Sequence, residues 1–155
     1  MANSKIWPDA DSHFNGQGRN DMRTVYLLSP STGKIIEPAI STGGSSSFHV
    51  IAAATNNATS IKATAGTVYG YEIFNASAAI RYVKLYNKAT APAPATDNAL
   101  LRRVIGIPAG GRVNATMPNG LAFSAGIGLA AVTGISDTDN TSTAASDLSI
   151  DIEYL

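Results

Sequence analysis

Apolar and polar positions alternate in short runs over the last two thirds of the chain, and turn residues separate the runs. A period of two is typical of half-buried strands, and frequent Gly, Pro and Asn turns are typical of antiparallel sheets. Eight strands are predicted, at residues 48–54, 59–64, 67–75, 79–87, 101–108, 112–117, 126–134 and 148–155. The pattern therefore predicts an all-β fold with little helix, an antiparallel β-sandwich or jelly-roll-like domain.

The predicted strand at residues 79–87 carries large side chains on both faces. Ile80, Tyr82, Lys84 and Tyr86 would lie on one face, and an arginine and two aliphatic residues on the other. Because neither face is wholly polar, we expect both faces to be covered, in part by another chain. Ile80, Tyr82 and Tyr86 are accordingly predicted contact residues.

The predicted strand at residues 126–134 contains small residues. Gly126 and Gly128 stand beside an alanine pair. Glycine within a strand often marks a place where another backbone comes close. We expect this strand to be tightly packed, with its small side chains buried where sheets or chains meet.

Residues 1–47 are different in composition, rich in Asn, Asp, Ser, Gly and Pro, and they end in STGGSSS. We interpret them as an extended N-terminal arm with a Gly/Ser joint, followed by a domain of residues 48–155. The large apolar residues that we single out in the arm are Trp7, Phe14, Tyr26 and Leu27. They need a surface to cover them, either on their own domain or on a neighbouring subunit.

The charge balance narrows the class of partner. The chain has 155 residues, with 11 Lys+Arg and 11 Asp+Glu, and only 14% of it is charged. A neutral chain gives no electrostatic reason to expect nucleic acid or a membrane as partner. A charge-poor surface instead suits a protein that packs against other subunits. The start of the chain shows no export signal, so we expect synthesis without one.

Candidate catalytic and metal-binding groups are few. His13 and His49 stand in separate segments without evident partners, and Cys is 0. Asp137, Asp139 and Thr141 alternate like the start of a calcium loop, but a serine stands where that loop needs its glycine, and the closing glutamate is missing. A solvated hairpin tip is the favoured interpretation. We expect no enzymatic activity, no metal and no cofactor.

Several sequence pieces in this order carry a resemblance: YVKLYNKATAP, IPAGG, GLAFSAGIGLAAVTG and the closing LSIDIEYL. Together they resemble a domain of virion structural proteins from tailed bacteriophages and prophages, over about residues 57–154. Such proteins attach to capsids or tails. The resemblance implies a β-sandwich that assembles, often as a trimer, and it does not include the arm.

These observations lead to the hypothesis of a capsid decoration, or cement, protein. It would be made in the host cytoplasm and would bind the major capsid protein on the outside of the head, as a homotrimer. The arm would reach across capsomers and stabilise their contacts. A tail, collar or fibre-anchoring protein is the alternative within the structural class, and copy number would separate the two.

A carbohydrate-binding module on the virion surface is a hypothesis of a different class. Its aromatic platforms for a glycan would be Trp7, Tyr69, Tyr71 and Tyr154. Simple packing is the competing interpretation for each of these four side chains.

Overall fold

The computed structural model describes residues 44–155 and two short strands before them, β1 (Leu27–Leu28) and β2 (Ile35–Ile36). β1 and β2 are antiparallel, with Leu27 opposite Ile36. The chain divides into two units, Met1–Thr42 and Gly43–Leu155. Both strands of the first unit lie within the segment predicted to be an arm.

The second unit consists of strands joined by loops. It contains β3 (Ser46–Ile51), β4 (Thr59–Lys62), β5 (Gly66–Asn75), β6 (Arg81–Asn87), β7 (Leu101–Ile107), β8 (Arg112–Phe123), β9 (Ile127–Val132) and β10 (Leu148–Tyr154). A single 3₁₀ turn, Asn98–Leu100, leads into β7. All eight predicted strands are present, and the predicted all-β fold is confirmed for the described residues.

The eight strands form two four-stranded antiparallel sheets. Sheet one has the order β3-β10-β5-β8, and sheet two has the order β4-β9-β6-β7. The pairing is nested along the chain, because β3 pairs with β10, β4 with β9, β5 with β8, and β6 with β7. Two further pairs, β10 with β5 and β9 with β6, join these ribbons into sheets.

One hydrophobic cluster receives side chains from both sheets. Sheet one contributes Val68, Ile73, Phe123, Leu148, Ile150 and Ile152, and sheet two contributes Val83, Leu85, Ile105, Ile107, Ile127, Leu129 and Ala131. In β6, β7, β9 and β10 alternate residues supply these contacts, as the period of two requires. Full burial of one large aliphatic side chain stabilises a fold by about 1.5–3 kcal/mol, so this cluster is the main source of stability in the second unit.

Strand β8 is longer than predicted. The sequence Pro118-Asn119-Gly120 has the composition of a turn, and the prediction ended this strand at Met117. In the structure β5 pairs with β8 on both sides of this point, with Gly70 opposite Thr116 and Val68 opposite Leu121. Gly120 has a φ of +66°, which glycine adopts without strain. The predicted end was wrong because this turn-like sequence forms a bulge within a continuing strand.

The outer face of sheet two is covered by loops of the same chain. Lys84 and Tyr86 of β6 are 0% exposed. A Cβ placed on Gly126 would stand 2.6 Å from the Cα of Ala89, and one on Gly128 would stand 3.3 Å from Pro92 Cδ. The predicted close approach at these glycines is confirmed. The sequence pattern predicted that another chain would cover part of β6. Over Lys84 and Tyr86 the cover comes instead from two loops of the same chain, the loop after β6 and the loop after β9.

Candidate functional site

The structure places the predicted contact residues in different settings. Trp7, Phe14 and Tyr26 lie outside the described residues, and Leu27 is described only as a member of β1. The remaining predicted contact residues are Ile80, Tyr82 and Tyr86, which belong to β6 and the turn before it. They differ in accessibility along the strand.

Ile80 and Tyr82 lie side by side over a glycine of an edge strand. Gly106 of β7 is opposite Tyr82 in the sheet. A Cβ on Gly106 would stand 3.3 Å from Tyr82 Cε1 and 3.8 Å from Ile80 Cδ1. Ile80 is 46% exposed. We call this apolar surface, formed by Ile80, Tyr82 and Gly106, the β6–β7 patch.

Tyr86 packs entirely within its own chain. Its side chain is 0% exposed, and among the residues that the structure describes its hydroxyl has no hydrogen-bond partner. Desolvation, reinforced by the negative charges of Asp137 and Asp97, raises the pKa of Tyr86 to about 12. Tyr86 therefore offers no side-chain surface to a neighbouring subunit.

Lys84 holds the loop that follows β9. Its Nζ donates hydrogen bonds to the carbonyl oxygens of Ser136, at 2.6 Å, and Asp139, at 3.0 Å. Desolvation lowers the pKa of Lys84, and the charges of Asp139 and Asp137 offset part of that effect. The predicted hairpin tip with alternating acidic residues is thus closed around a lysine ammonium, which the sequence pattern did not indicate.

A groove of about 560 Å³ lies on the outer face of sheet one. Its lining consists of Ser47, Tyr69, Gly70, Tyr71, Glu72, Asn114, Ala115, Thr116, Asp151 and Glu153. Glu153, Gly70 and Thr116 are opposite one another across β10, β5 and β8. Because Gly70 has no side chain, the row is lowest at its middle position. We call this depression the polar groove.

Three carboxylates of the polar groove are each held by one neighbour. His49 Nδ1 lies 2.7 Å from Asp151 Oδ1, and Arg112 Nη1 donates to Glu72 Oε1 at 2.7 Å. Ser45 Oγ donates to Glu153 Oε2 at 3.1 Å. Such exposed pairs contribute at most about 1 kcal/mol each to stability. Their main effect is to orient the carboxylates.

The four aromatic residues predicted as glycan platforms do not form one surface in the described residues. Tyr69 and Tyr71 both border the polar groove. Tyr71 and Tyr154 also pack against the hydrophobic cluster, and both are partly buried. Trp7 lies outside the described residues. Of the four predicted platforms, Tyr69 is therefore the one that borders the polar groove without also packing against the hydrophobic cluster.

Within residues 44–155 and strands β1 and β2, no cluster of three or more His, Cys, Asp or Glu residues is placed to bind a metal ion. In the same part of the chain, no helix has the length and apolar character needed to cross a membrane. No family model matches this chain, and no curated protein or solved structure does so either.

Proposed function

We propose that this chain is a capsid decoration, or cement, protein of a tailed bacteriophage. It binds the major capsid protein on the exterior of the head as a homotrimer and stabilises contacts between capsomers. The observation that carries the proposal is the strand order of the second unit. Along the chain, β3 and β10 form the outermost pair of strands. The pairs β4–β9, β5–β8 and β6–β7 lie successively inside it.

This nested order is the one expected for a jelly roll, in which a long antiparallel ribbon is wound into two facing sheets. We infer that sheets one and two form such a β-sandwich around their common hydrophobic cluster. Jelly rolls recur in viral shell proteins and lectins. The architecture thus supports the resemblance to virion structural proteins that residues 57–154 carry.

The N-terminal segment is the proposed anchor on the shell. The hydrophobic cluster described above consists of residues of the second unit, and the N-terminal segment is assigned to attachment on the basis of its sequence. An extended segment buries much surface per residue, and many symmetric copies add weak contacts into a large total. Trp7, Phe14, Tyr26 and Leu27 are the side chains that we propose to bind the capsid.

The β6–β7 patch is the proposed contact between subunits of the trimer. It combines exposed Ile80 with the ring of Tyr82 at the edge of sheet two. Apolar and aromatic side chains beside an edge strand are typical of the centres of subunit interfaces. Tyr86 takes no part in this proposal because it is buried within its own chain.

Binding to heads tests the proposal directly. Purified full-length chain is mixed with heads from phage that lack its gene, and the mixture is sedimented. We expect saturable binding to heads and greater resistance of the shell to heating. Residues 44–155 alone should stay folded, as judged by circular dichroism, and should remain in the supernatant.

Two results would contradict the proposal. Binding to isolated tails and not to heads would favour a tail, collar or fibre-anchoring protein. Undiminished binding of residues 44–155 to heads would show that the N-terminal segment is not the anchor.

A further inference from the structure

We propose that the polar groove on sheet one binds an uncharged oligosaccharide. The inference concerns a face other than the β6–β7 patch, which lies on sheet two. Binding of an oligosaccharide in this groove does not require attachment of the chain to a capsid and depends only on the chemistry of the groove.

One wall of the groove is an oriented aromatic ring. Tyr69 stands where β5 passes the bulge of β8, and a Cβ on Gly120 would lie 3.2 Å from its Cε1. The ring is therefore packed against the bulge. Sugar rings present flat C–H faces that stack on aromatic side chains, and a ring already held in place loses little conformational entropy on binding.

The lining of the groove is also rich in hydrogen-bond acceptors. One oxygen of each of Glu72, Asp151 and Glu153 is engaged by a neighbouring side chain. Among the described residues the second oxygen of each carboxylate accepts no hydrogen bond from a side chain. Such an oxygen is an oriented acceptor for a sugar hydroxyl, and hydrogen bonds to a charged acceptor are among the stronger ones. Asn114 and Thr116 add groups that donate as well as accept.

The charges around the groove favour a neutral ligand. Among the described residues neither Lys nor Arg lines it, so the three carboxylates would repel a phosphate or an acidic sugar. Arg112, which is paired with Glu72, offsets part of that negative charge at the rim, which weakens the attraction for a basic peptide. An uncharged glycan uses the acceptors and the aromatic ring together.

The test is a nuclear magnetic resonance titration of the ¹⁵N-labelled full-length chain. The probes are maltohexaose, cellohexaose, mannohexaose and chitohexaose, each added to about 5 mM because an exposed groove binds a single glycan weakly. At least one probe should shift the amides of Gly70, Ala115 and Thr116. Tyr69→Ala should weaken that binding about tenfold, the upper range for an aromatic contact, whereas Tyr69→Phe should keep it.

Asn114→Ala provides a second variant that leaves the packing of Tyr69 intact, and it should also weaken binding. Three results would overturn the inference: no shift with any of the four probes, shifts confined to other surfaces, or binding by Tyr69→Ala and Asn114→Ala that is as strong as that of the wild type. Shifts of the groove amides by hexalysine, with none from the sugars, would overturn it in favour of a basic peptide. Binding of the chain to phage heads is measured separately and decides none of these outcomes.

Discussion

The ammonium group of Lys84 donates a hydrogen bond of 2.6 Å to the carbonyl oxygen of Ser136. This contact joins a strand of sheet two to the loop after β9, 52 positions further along the chain. A buried cation is costly unless it is well solvated by the protein. Here backbone carbonyls take the place of water, so the lysine and the loop depend on each other.

Replacing Lys84 by methionine should therefore destabilise the fold. The methionine keeps an apolar side chain of similar length, but it leaves the carbonyl oxygens of Ser136 and Asp139 without their donor. We expect the free energy of unfolding to fall by about 2 kcal/mol, measured by urea denaturation. Hydrogen exchange should also accelerate at the amides of the loop, residues 133–142.

Lys62→Met is the matched control for this prediction. Lys62 lies at the end of edge strand β4 and is partly exposed. Its replacement should change the free energy of unfolding by no more than about 0.5 kcal/mol. A Lys84→Met chain as stable as the wild type, with unchanged exchange in the loop, would show that the ammonium does not hold the loop.

Tyr86→Phe should change the response of stability to alkaline pH. The pKa of Tyr86 in the folded chain is about 12, above the value of about 10 for an exposed tyrosine. A raised pKa means that its contribution is complete below pH 10 and is lost as the pH rises through 12. The loss at pH 11 amounts to about 1.4 kcal/mol in the wild type, and it should be absent from Tyr86→Phe.

Urea denaturation at several pH values measures this difference. At pH 7 the two chains should agree within about 1 kcal/mol, because in the described part of the chain the hydroxyl removed has no hydrogen-bond partner, so its loss leaves no donor or acceptor there unpaired. The same decline in stability for both chains between pH 9 and 11 would contradict the buried position of this hydroxyl.

Asp147→Asn should weaken the fold at neutral pH and have less effect in acid. Asp147 Oδ2 accepts hydrogen bonds from Arg81 Nε at 2.6 Å and from the Ala144 amide at 3.0 Å. Burial by itself would raise the pKa of Asp147, but these bonds and the charge of Arg81 hold it below its ordinary value. The stabilisation is therefore present above about pH 4 and is lost as the pH falls through the lowered pKa.

We expect Asp147→Asn to lower the free energy of unfolding by about 1–3 kcal/mol at pH 7. The difference from the wild type should shrink below pH 4. Asp151→Asn serves as the control, because its pair with His49 is exposed and such pairs contribute at most about 1 kcal/mol. Equal losses from the two substitutions would contradict a special role for the Arg81–Asp147 pair.

Ile80→Asp should disrupt the trimer that we propose. A carboxylate at the centre of an apolar contact would be buried without a partner, which is strongly unfavourable. Analytical ultracentrifugation should show three-chain particles for the wild type and single chains for the variant. Ile135→Asp is the matched control, because Ile135 is 66% exposed and lies on the loop after β9; this variant should remain trimeric. A monomeric wild type, or trimers of Ile80→Asp, would refute the proposed contact.

Much of the fold could be predicted from the sequence because strand formation is governed by local alternation. In β6, Val83 and Leu85 point to the hydrophobic cluster, as their spacing requires. The outward residues were harder to interpret. Tyr86 is of a residue type that is common at interfaces. Only the path of the loop after β6 shows that its own chain buries it.

The polar groove could not be predicted because its parts come from strands distant in sequence. Glu72, Asn114 and Asp151 become neighbours only through the pairing of β5 with β8 and β10. No short motif joins them. Tyr69 was predicted as a platform from its residue type alone. Its position depends on the bulge of β8, which has the sequence of a turn and was predicted to end that strand.

The most direct test of the proposed function is quantitative mass spectrometry of purified virions, with the major capsid protein as the internal reference. A decoration protein that occupies the whole shell should be present at about one copy, or half a copy, per capsid subunit, because symmetric sites are filled together. A ratio of only a few per cent, or absence of the chain from virions, would contradict its assignment as a capsid cement.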